Sequence, residues 1–188
     1  VNVSPTSFLV EPSARNTAPA VLAAALEVAE TDPDALMRIA PSDHAIPDAP
    51  AFRAAVKSGV DAARAGRIVT FGIRPTRAET GYGWLELDDA PRDFTPRPMT
   101  LAGFVEKPSL DQAEAMLDAG RYLWNAGIFL ATAAGLVEAF EDHAPYLVKP
   151  VRAARAEALH GRKGVQLAAA PWGDAKDISV DYAVMEHA

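Results

Sequence analysis

The stretch Ala35-Leu-Met-Arg-Ile-Ala-Pro-Ser-Asp-His44 is a largely apolar run that breaks off into a polar turn. A short apolar run of this kind reads as a buried strand, and its lack of alternation fits a parallel strand covered on both faces. Beyond Asp48, the residues Phe52, Val56, Val60 and Ala63 recur at helical spacing until Gly66, and a strand from Ile68 to Ile73 follows at once. Upstream, Ser7-Phe-Leu-Val10 is another short strand ending at Glu11-Pro12. Ala18, Val21, Leu22, Ala25, Leu26 and Ala29 then form a helical stripe, with Asn16 or Thr17 as N-cap and Pro19 tolerated in the first turn. Strand and helix alternating in this way predict an α/β domain with crossover helices.

Downstream the rhythm changes. Gly81 to Leu87 alternates like a strand, Ala90 to Pro98 is an irregular loop, and Met99 to Val105 is a further strand, so an antiparallel or mixed excursion is expected. Ser109 with Gln112 predicts a capping box on a helix to Asp118, stopped by Gly120. Ile128 to Leu130 reads as a short strand, and Thr132 as the cap of a helix from Ala133 to Phe140. Pro145 to Leu159 reads as mainly helical, Val165 to Leu167 as an edge strand, and Ser179 as the cap of a last helix carrying Asp181, Tyr182, Val184 and Met185. That helix has barely begun at Glu186, which predicts that residues 1–188 are a central part of a longer polypeptide.

The 188 residues are 49% hydrophobic and 23% charged, enough apolar material for one substantial core. Lys plus Arg number 18 against 25 Asp plus Glu, a net charge of −7 that disfavours a broad nucleic-acid or anionic-membrane surface while allowing a local basic pocket. Without cysteine there is no disulfide, thiolate metal site or cysteine nucleophile. No apolar stretch reaches membrane-spanning length and no secretory signal opens the chain, so a cytoplasmic protein is the default.

Several short segments could carry chemistry. In Glu11-Pro-Ser-Ala-Arg-Asn-Thr17, free amides at a helix start could receive a phosphate or a base edge, and Glu11 could accept the paired N–H donors of a guanine; Asn16 capping beside an exposed Arg15 explains the same letters. Asp43 ends a strand where ligands collect and could hold Mg²⁺ against phosphates, or simply close a turn, while His44 fits a turn spacer best. Glu79-Thr-Gly-Tyr-Gly83 allows close backbone approach to a ligand, or a tight turn around a packed tyrosine. Glu106 could accept sugar hydroxyls and Lys107 pair with a phosphate, but alternation sends them to opposite faces unless the strand bends there. Trp124-Asn-Ala-Gly127 offers a side-chain amide in a small-residue loop.

Taken in order, Glu11 to Pro19, Pro41 to His44, Thr70-Phe-Gly-Ile-Arg-Pro-Thr76, Glu79 to Gly83, Phe104-Val-Glu-Lys-Pro108, Trp124 to Gly127 and Ser179-Val-Asp-Tyr-Ala-Val-Met-Glu186 resemble the mannose-1-phosphate guanylyltransferases of the sugar nucleotidyltransferase superfamily. The resemblance covers nearly the whole chain. It implies a Rossmann-like mixed β-sheet flanked by helices, here incomplete at both ends, and transfer of GMP from GTP to α-D-mannose 1-phosphate. By that resemblance Asp43 holds the catalytic Mg²⁺, and Glu11, Arg15, Asn16, Thr17, Ser42 and Asp43 meet the nucleotide. Gly83, Glu106, Asn125 and Asp181 meet the sugar phosphate, whose phosphate pairs with Lys107. It also implies that residues 1–188 are the central part of one nucleotidyltransferase domain. A Gly-rich phosphate loop is expected before Val1 and a second metal-binding aspartate after Ala188, so the isolated segment is expected to be inactive. Ala14 stands where glycine is usual and Ala126 where serine is usual. A homodimer is left open, and neither nucleic acid nor membrane is an expected partner. The competing readings are a catalytically silent relative kept as a regulatory partner, and a relative that transfers UMP or dTMP.

Overall fold

The computed structural model describes residues 5, 7–93, 95–161 and 164–187. Position 94, within the irregular stretch expected from Ala90 to Pro98, lies outside the described residues. In chain order the elements are β1 (Leu9–Val10), α1 (Thr17–Thr31), β2 (Leu36–Ile39), α2 (Ala49–Arg64), β3 (Val69–Ile73), β4 (Gly83–Leu87), β5 (Leu101–Glu106), α3 (Leu110–Ala119), β6 (Tyr122–Thr132), α4 (Ala133–His143), α5 (Pro145–Ala156), β7 (Leu159–Gly161), β8 (Gly164–Gln166) and α6 (Ala169–Gly173), followed by a π-helical turn (Asp181–Met185). The starts of α1 to α4 fall where a side chain supplies an acceptor for a first-turn amide. Asn16 Oδ1 accepts from the Thr17 amide, Asp48 Oδ1 from Ala51 and Thr132 Oγ1 from Gly135, at 2.9, 2.9 and 3.1 Å. The capping box of Ser109 and Gln112 forms in both directions, and α3 stops at Gly120, whose φ of 68° suits glycine.

The chain divides into two units, one of residues 34–135 and one of residues 1–33 with 136–188. In the first, β6 is the middle strand of a five-stranded sheet. Leu130 pairs with Val69 of β3 on one edge and with Arg38 of β2 on the other. Trp124 likewise pairs with Ile73 of β3 and, on the opposite edge, with Trp84 of β4, which in turn carries β5. All these pairings are antiparallel, so the parallel neighbour expected for β2 is replaced by antiparallel β6. The crossover survives in another form: β2 and β3, joined by α2, run in the same direction with β6 between them. One face of this sheet is covered by α2, and a Cβ on Gly59 would stand 3.0 Å from Val69 and 3.6 Å from Leu130. Near β4, Trp84, Trp124 and Ala113 of α3 form a buried cluster. The expected antiparallel excursion is β4 with β5. The expected loop Trp124 to Gly127 proves to lie inside the long strand β6 rather than ahead of a short one.

The second unit holds a small sheet in which β8 is paired parallel with β1 and antiparallel with β7. The strand expected at an edge near Val165 is therefore the middle one, because β7 occupies its far side. The helix expected to reach Leu159 ends at Ala156, and Leu159 begins β7. Helix α6 was not expected. Leu22 and Ala25 of α1 and Leu147 and Val151 of α5 are fully buried, and Arg155 of α5 ion-pairs with Glu27 and Glu30 of α1. The last element is π-helical and starts at Asp181, with Val180 rather than the expected Ser179 at its N-cap, while Ser179 Oγ accepts from the Tyr182 amide. No helix among the described residues is long and apolar enough to cross a membrane.

Candidate functional site

The unit of residues 34–135 assembles part of the site around an irregularity in β6. Between the pairs Thr70–Phe129 and Gly72–Asn125, β3 advances two residues while β6 advances four. The surplus is a bulge over Ala126–Ile128, with Gly127 at φ 64°. Bulges re-aim side chains, and here Asn125 Oδ1 accepts from both the Gly127 amide (3.1 Å) and the Thr70 hydroxyl (3.0 Å). On the other edge of β6, β2 ends opposite Phe129 while β4 first pairs at Trp124, so among the described residues no strand lines Ala126–Ile128 there. Pro41 leaves β2 into this gap: its Cγ is 3.8 Å from where a Gly127 Cβ would stand.

Gly83, opposite Glu106 in the β4–β5 ladder, faces the same place. A Cβ on Gly83 would stand 2.5 Å from Glu106 Oε2, 2.9 Å from the Phe104 ring and 3.4 Å from Asn125 Cβ. The glycine is thus required for the Glu106 carboxylate to lie beside Asn125. The bend on which Glu106 and Lys107 depended is present: Lys107 has φ 47°, a left-handed conformation unusual for a residue with a side chain, and its amide donates to Tyr82 O (3.2 Å). Consecutive side chains then share one side, with Lys107 Nζ 3.5 Å from Glu106 Oε1. Gly83, Glu106, Asn125 and Lys107 therefore come together as a donor, acceptor and cation set suited to a polyhydroxylated ligand bearing phosphate.

The loop entering β4 is ordered by a residue without a role in the sequence reading, Glu79. Its carboxylate accepts from the Gly81 amide (3.0 Å) and from Arg77 (2.8 and 3.1 Å), and its backbone carbonyl accepts from Trp84 Nε1 (2.8 Å). The Gly81 N–H, and then Arg77, hold the Glu79 carboxyl below its ordinary pKa. Arg77 in turn lies over the Trp124 ring at 5.2 Å, and the Tyr82 ring meets that indole edge-on. Its position two residues before a glycine, where a carboxylate can take the amide in a local turn, was the signal available.

Ser42 and Asp43 sit in the exposed turn that follows β2. An exposed carboxylate suits Mg²⁺, which favours oxygen donors and is commonly bound through one or two carboxylates plus substrate phosphates. Among the described residues no cluster of three or more His, Cys, Asp or Glu side chains could cage a metal.

In the other unit, Glu11 to Asn16 connects β1 to α1 and is held by one distant segment. Trp172 Nε1 donates to Ser13 O (2.7 Å), Arg15 Nη2 to Gly173 O (3.0 Å), the Ala18 amide to Ile178 O (3.1 Å) and the Val180 amide to Thr17 Oγ1 (2.9 Å). Asn16 has φ 55° and ψ −166°, a conformation nearly restricted to glycine, and these bonds on either side of it hold it there. Arg15 thus braces the loop through α6, and Asn16 caps α1. Thr17 Oγ1 is an acceptor for Val180, next to the half-buried Asp181, so Asp181 shares this unit with Thr17 and not with Gly83, Glu106 and Asn125. The Glu11 carboxyl keeps solvent contact, yet partial burial raises its pKa.

The nucleotidyl transferase family model matches residues 2–174. The mannose-1-phosphate guanylyltransferase of Sinorhizobium fredii is 41% identical over 99% of this chain and 36% of its own length. The xanthan biosynthesis protein XanB of Xanthomonas campestris is 39% identical over 99% of this chain and 39% of its own length. The chain thus spans well under half the length of these curated relatives. Among solved structures, the crystal structure of mannose-6-phosphate isomerase from Helicobacter pylori superposes with a TM-score of 0.85 at 30% identity, covering 97% of this chain and 68% of that one.

Proposed function

The chain belongs to the nucleotidyl transferase family, and we propose that the protein transfers GMP from GTP to α-D-mannose 1-phosphate, giving GDP-mannose and pyrophosphate. The observation that carries this reading is the convergence of Gly83, Glu106 and Asn125 with the left-handed Lys107. A sugar 1-phosphate needs hydroxyl acceptors, an amide and one cation for its phosphate, and this group supplies them side by side. The names of the relatives in Sinorhizobium fredii and Xanthomonas campestris, a mannose-1-phosphate guanylyltransferase and a xanthan biosynthesis protein, support mannose 1-phosphate as the acceptor.

In the reaction, an oxygen of the mannose 1-phosphate attacks the α-phosphorus of GTP, and the bond from that phosphorus to the bridging oxygen of pyrophosphate breaks. The attacking oxygen is already ionised at neutral pH, so no general base is needed. Lys107 pairs with the acceptor phosphate, and Glu106 and Asn125 hold the ring. By the resemblance Glu11 accepts from the guanine edge, and Arg15, Asn16, Thr17, Ser42 and Asp43 meet the nucleotide. Asp181, which lies in the other unit, is given to the sugar phosphate by the resemblance alone. Asp43 would hold Mg²⁺, which when bound neutralises charge on the phosphates. GTP as donor makes the cytoplasm the place of reaction.

The test is pyrophosphate release by the complete protein with GTP, mannose 1-phosphate and Mg²⁺, against UTP, dTTP and glucose 1-phosphate. Preference for the first pair supports the reading, and preference for UTP or dTTP, or no turnover with any pair, overturns it. Asp43→Asn should raise the Mg²⁺ concentration needed for half-maximal turnover; an unchanged titration would leave Asp43 as a turn residue.

A further inference from the structure

We infer that Thr70 is a positioning residue that sets the affinity for the sugar phosphate through Asn125, an inference resting on the mannose 1-phosphate reading above. Thr70 lies on β3, across the bulge from Asn125, and is half-buried. Its hydroxyl has two acceptors within reach: Asn125 Oδ1 at 3.0 Å and Ile128 O at 3.5 Å. With one proton to give, the shorter contact takes it. Asn125 Oδ1 therefore receives two donors, Thr70 on one side and the Gly127 amide on the other. Two donors converging on one oxygen hold the amide plane and turn the NH₂ end away from β3. That end is the one able to donate to a sugar hydroxyl oxygen. Asn125 Cβ stands close to Gly83, whose missing side chain makes room for the Glu106 carboxylate, so the fixed amide and the carboxylate border the same space.

The bulge makes this possible. In a regular antiparallel ladder a residue opposite Phe129 would not reach Asn125, four positions away; the extra residues in β6 fold Asn125 back toward Thr70. Threonine's branched Cβ limits its χ1 choices, so the hydroxyl is delivered with little ordering cost.

The experiment compares Thr70→Val and Thr70→Ser in the complete protein, alone and with Asn125→Ala. Valine keeps the shape and loses the hydroxyl; serine keeps the hydroxyl. Thr70→Val should raise KM for mannose 1-phosphate about three- to tenfold, the equivalent of one hydrogen bond. KM for GTP and the thermal midpoint should stay unchanged, Thr70→Ser should remain within about twofold of the parent, and Thr70→Val should add nothing in the Asn125→Ala background. The proposal is overturned by an unchanged KM in Thr70→Val, by equal effects on both substrates, by a serine variant as impaired as valine, or by additivity with Asn125→Ala. If the parent protein does not use mannose 1-phosphate at all, the functional reading falls and takes this one with it; if the parent works and only the variants disagree, the loss is confined to Thr70.

Discussion

The two regions proposed to meet the two substrates are held by different means. The Glu11–Thr17 loop is fastened by backbone and side-chain bonds from residues 172–180, separated in sequence by 158 to 163 positions for Arg15–Gly173, Ser13–Trp172 and Thr17–Val180. The Gly83–Glu106–Asn125 cluster is built inside one sheet from a bulge, a glycine and a left-handed lysine. The first arrangement spreads its order over several bonds, each of modest net worth. The second depends on steric conditions at single positions. It should therefore fail abruptly when one of them is altered, and the loop gradually.

The largest effect should come from Gly83→Ala. The added methyl would collide with the Glu106 carboxylate and the Phe104 ring, and overpacking of this kind typically costs about 1–3 kcal/mol of stability. Displacing Glu106 should also lower kcat/KM for mannose 1-phosphate about 100-fold, the scale of one charge-assisted contact, while GTP binding measured by calorimetry is spared. Wild-type kinetics in this variant would show that Glu106 does not face the sugar. Next, Lys107→Ala should weaken mannose 1-phosphate use about 10- to 100-fold without changing GTP affinity. Lys107→Gly should lose the same activity but melt higher than Lys107→Ala, because glycine relieves the left-handed strain. Equal loss of both ligands would remove Lys107 from the acceptor site.

A smaller effect is expected in the other region. Trp172→Phe keeps most of the buried volume and removes the donor to Ser13 O, so KM for GTP should rise about three- to tenfold and KM for mannose 1-phosphate should not move. A change confined to mannose 1-phosphate would reverse the assignment of the two regions. The smallest effect is a contrast in acid. Glu79 has a folded pKa below 4.5, so its stabilising contribution is present above that value and is lost as pH falls through the folded pKa. Glu11 has a folded pKa above 4.5; the folded state binds its proton more tightly, so its contribution is fully present below 4.5 and is lost as pH rises through the folded value. Glu79→Gln should therefore flatten the acid loss of stability, whereas Glu11→Gln should slightly raise the melting temperature near neutrality. GTP affinity in the parent should begin to fall at a pH above the ordinary glutamate range, and the same measurement with Glu11→Gln should show no such fall.

Legibility followed the range of the interactions. Asn16, Ser109 with Gln112, and Thr132 were readable as caps because each bond is made within three residues of its own side chain. Glu106 with Lys107 was readable as a condition, and the bend was supplied by a backbone angle that the letters Glu-Lys-Pro do not dictate. Trp124 to Gly127 read as a loop because Asn, Ala and Gly disfavour strands, whereas pairing of β3 and β4 at Trp124 and of β2 and β3 at Phe129 brackets the bulge within one long strand. Strand β7 was missed because Leu159 and its neighbours continue a helical pattern; pairing with β8 overrides it. Glu79 and Trp172 drew no assignment, the one because its turn is local but its Arg77 and Trp84 partners are not obvious from spacing, the other because its partner Ser13 lies at the opposite end of the chain.

The amino-acid sequence by itself determined the caps, the helix stops at Gly66 and Gly120, the α/β class and the set of polar residues available for a sugar phosphate and a nucleotide, since these depend on local backbone preference and on side-chain chemistry. Only the tertiary structure decided that β2 and β3 flank an antiparallel β6, that Asn125 is turned by a bulge toward Thr70, and that residues 172–180 hold the Glu11–Thr17 loop. Those choices rest on pairings between distant segments, whose free energy comes from strand edges and buried surfaces that exist only once the chain has brought them together.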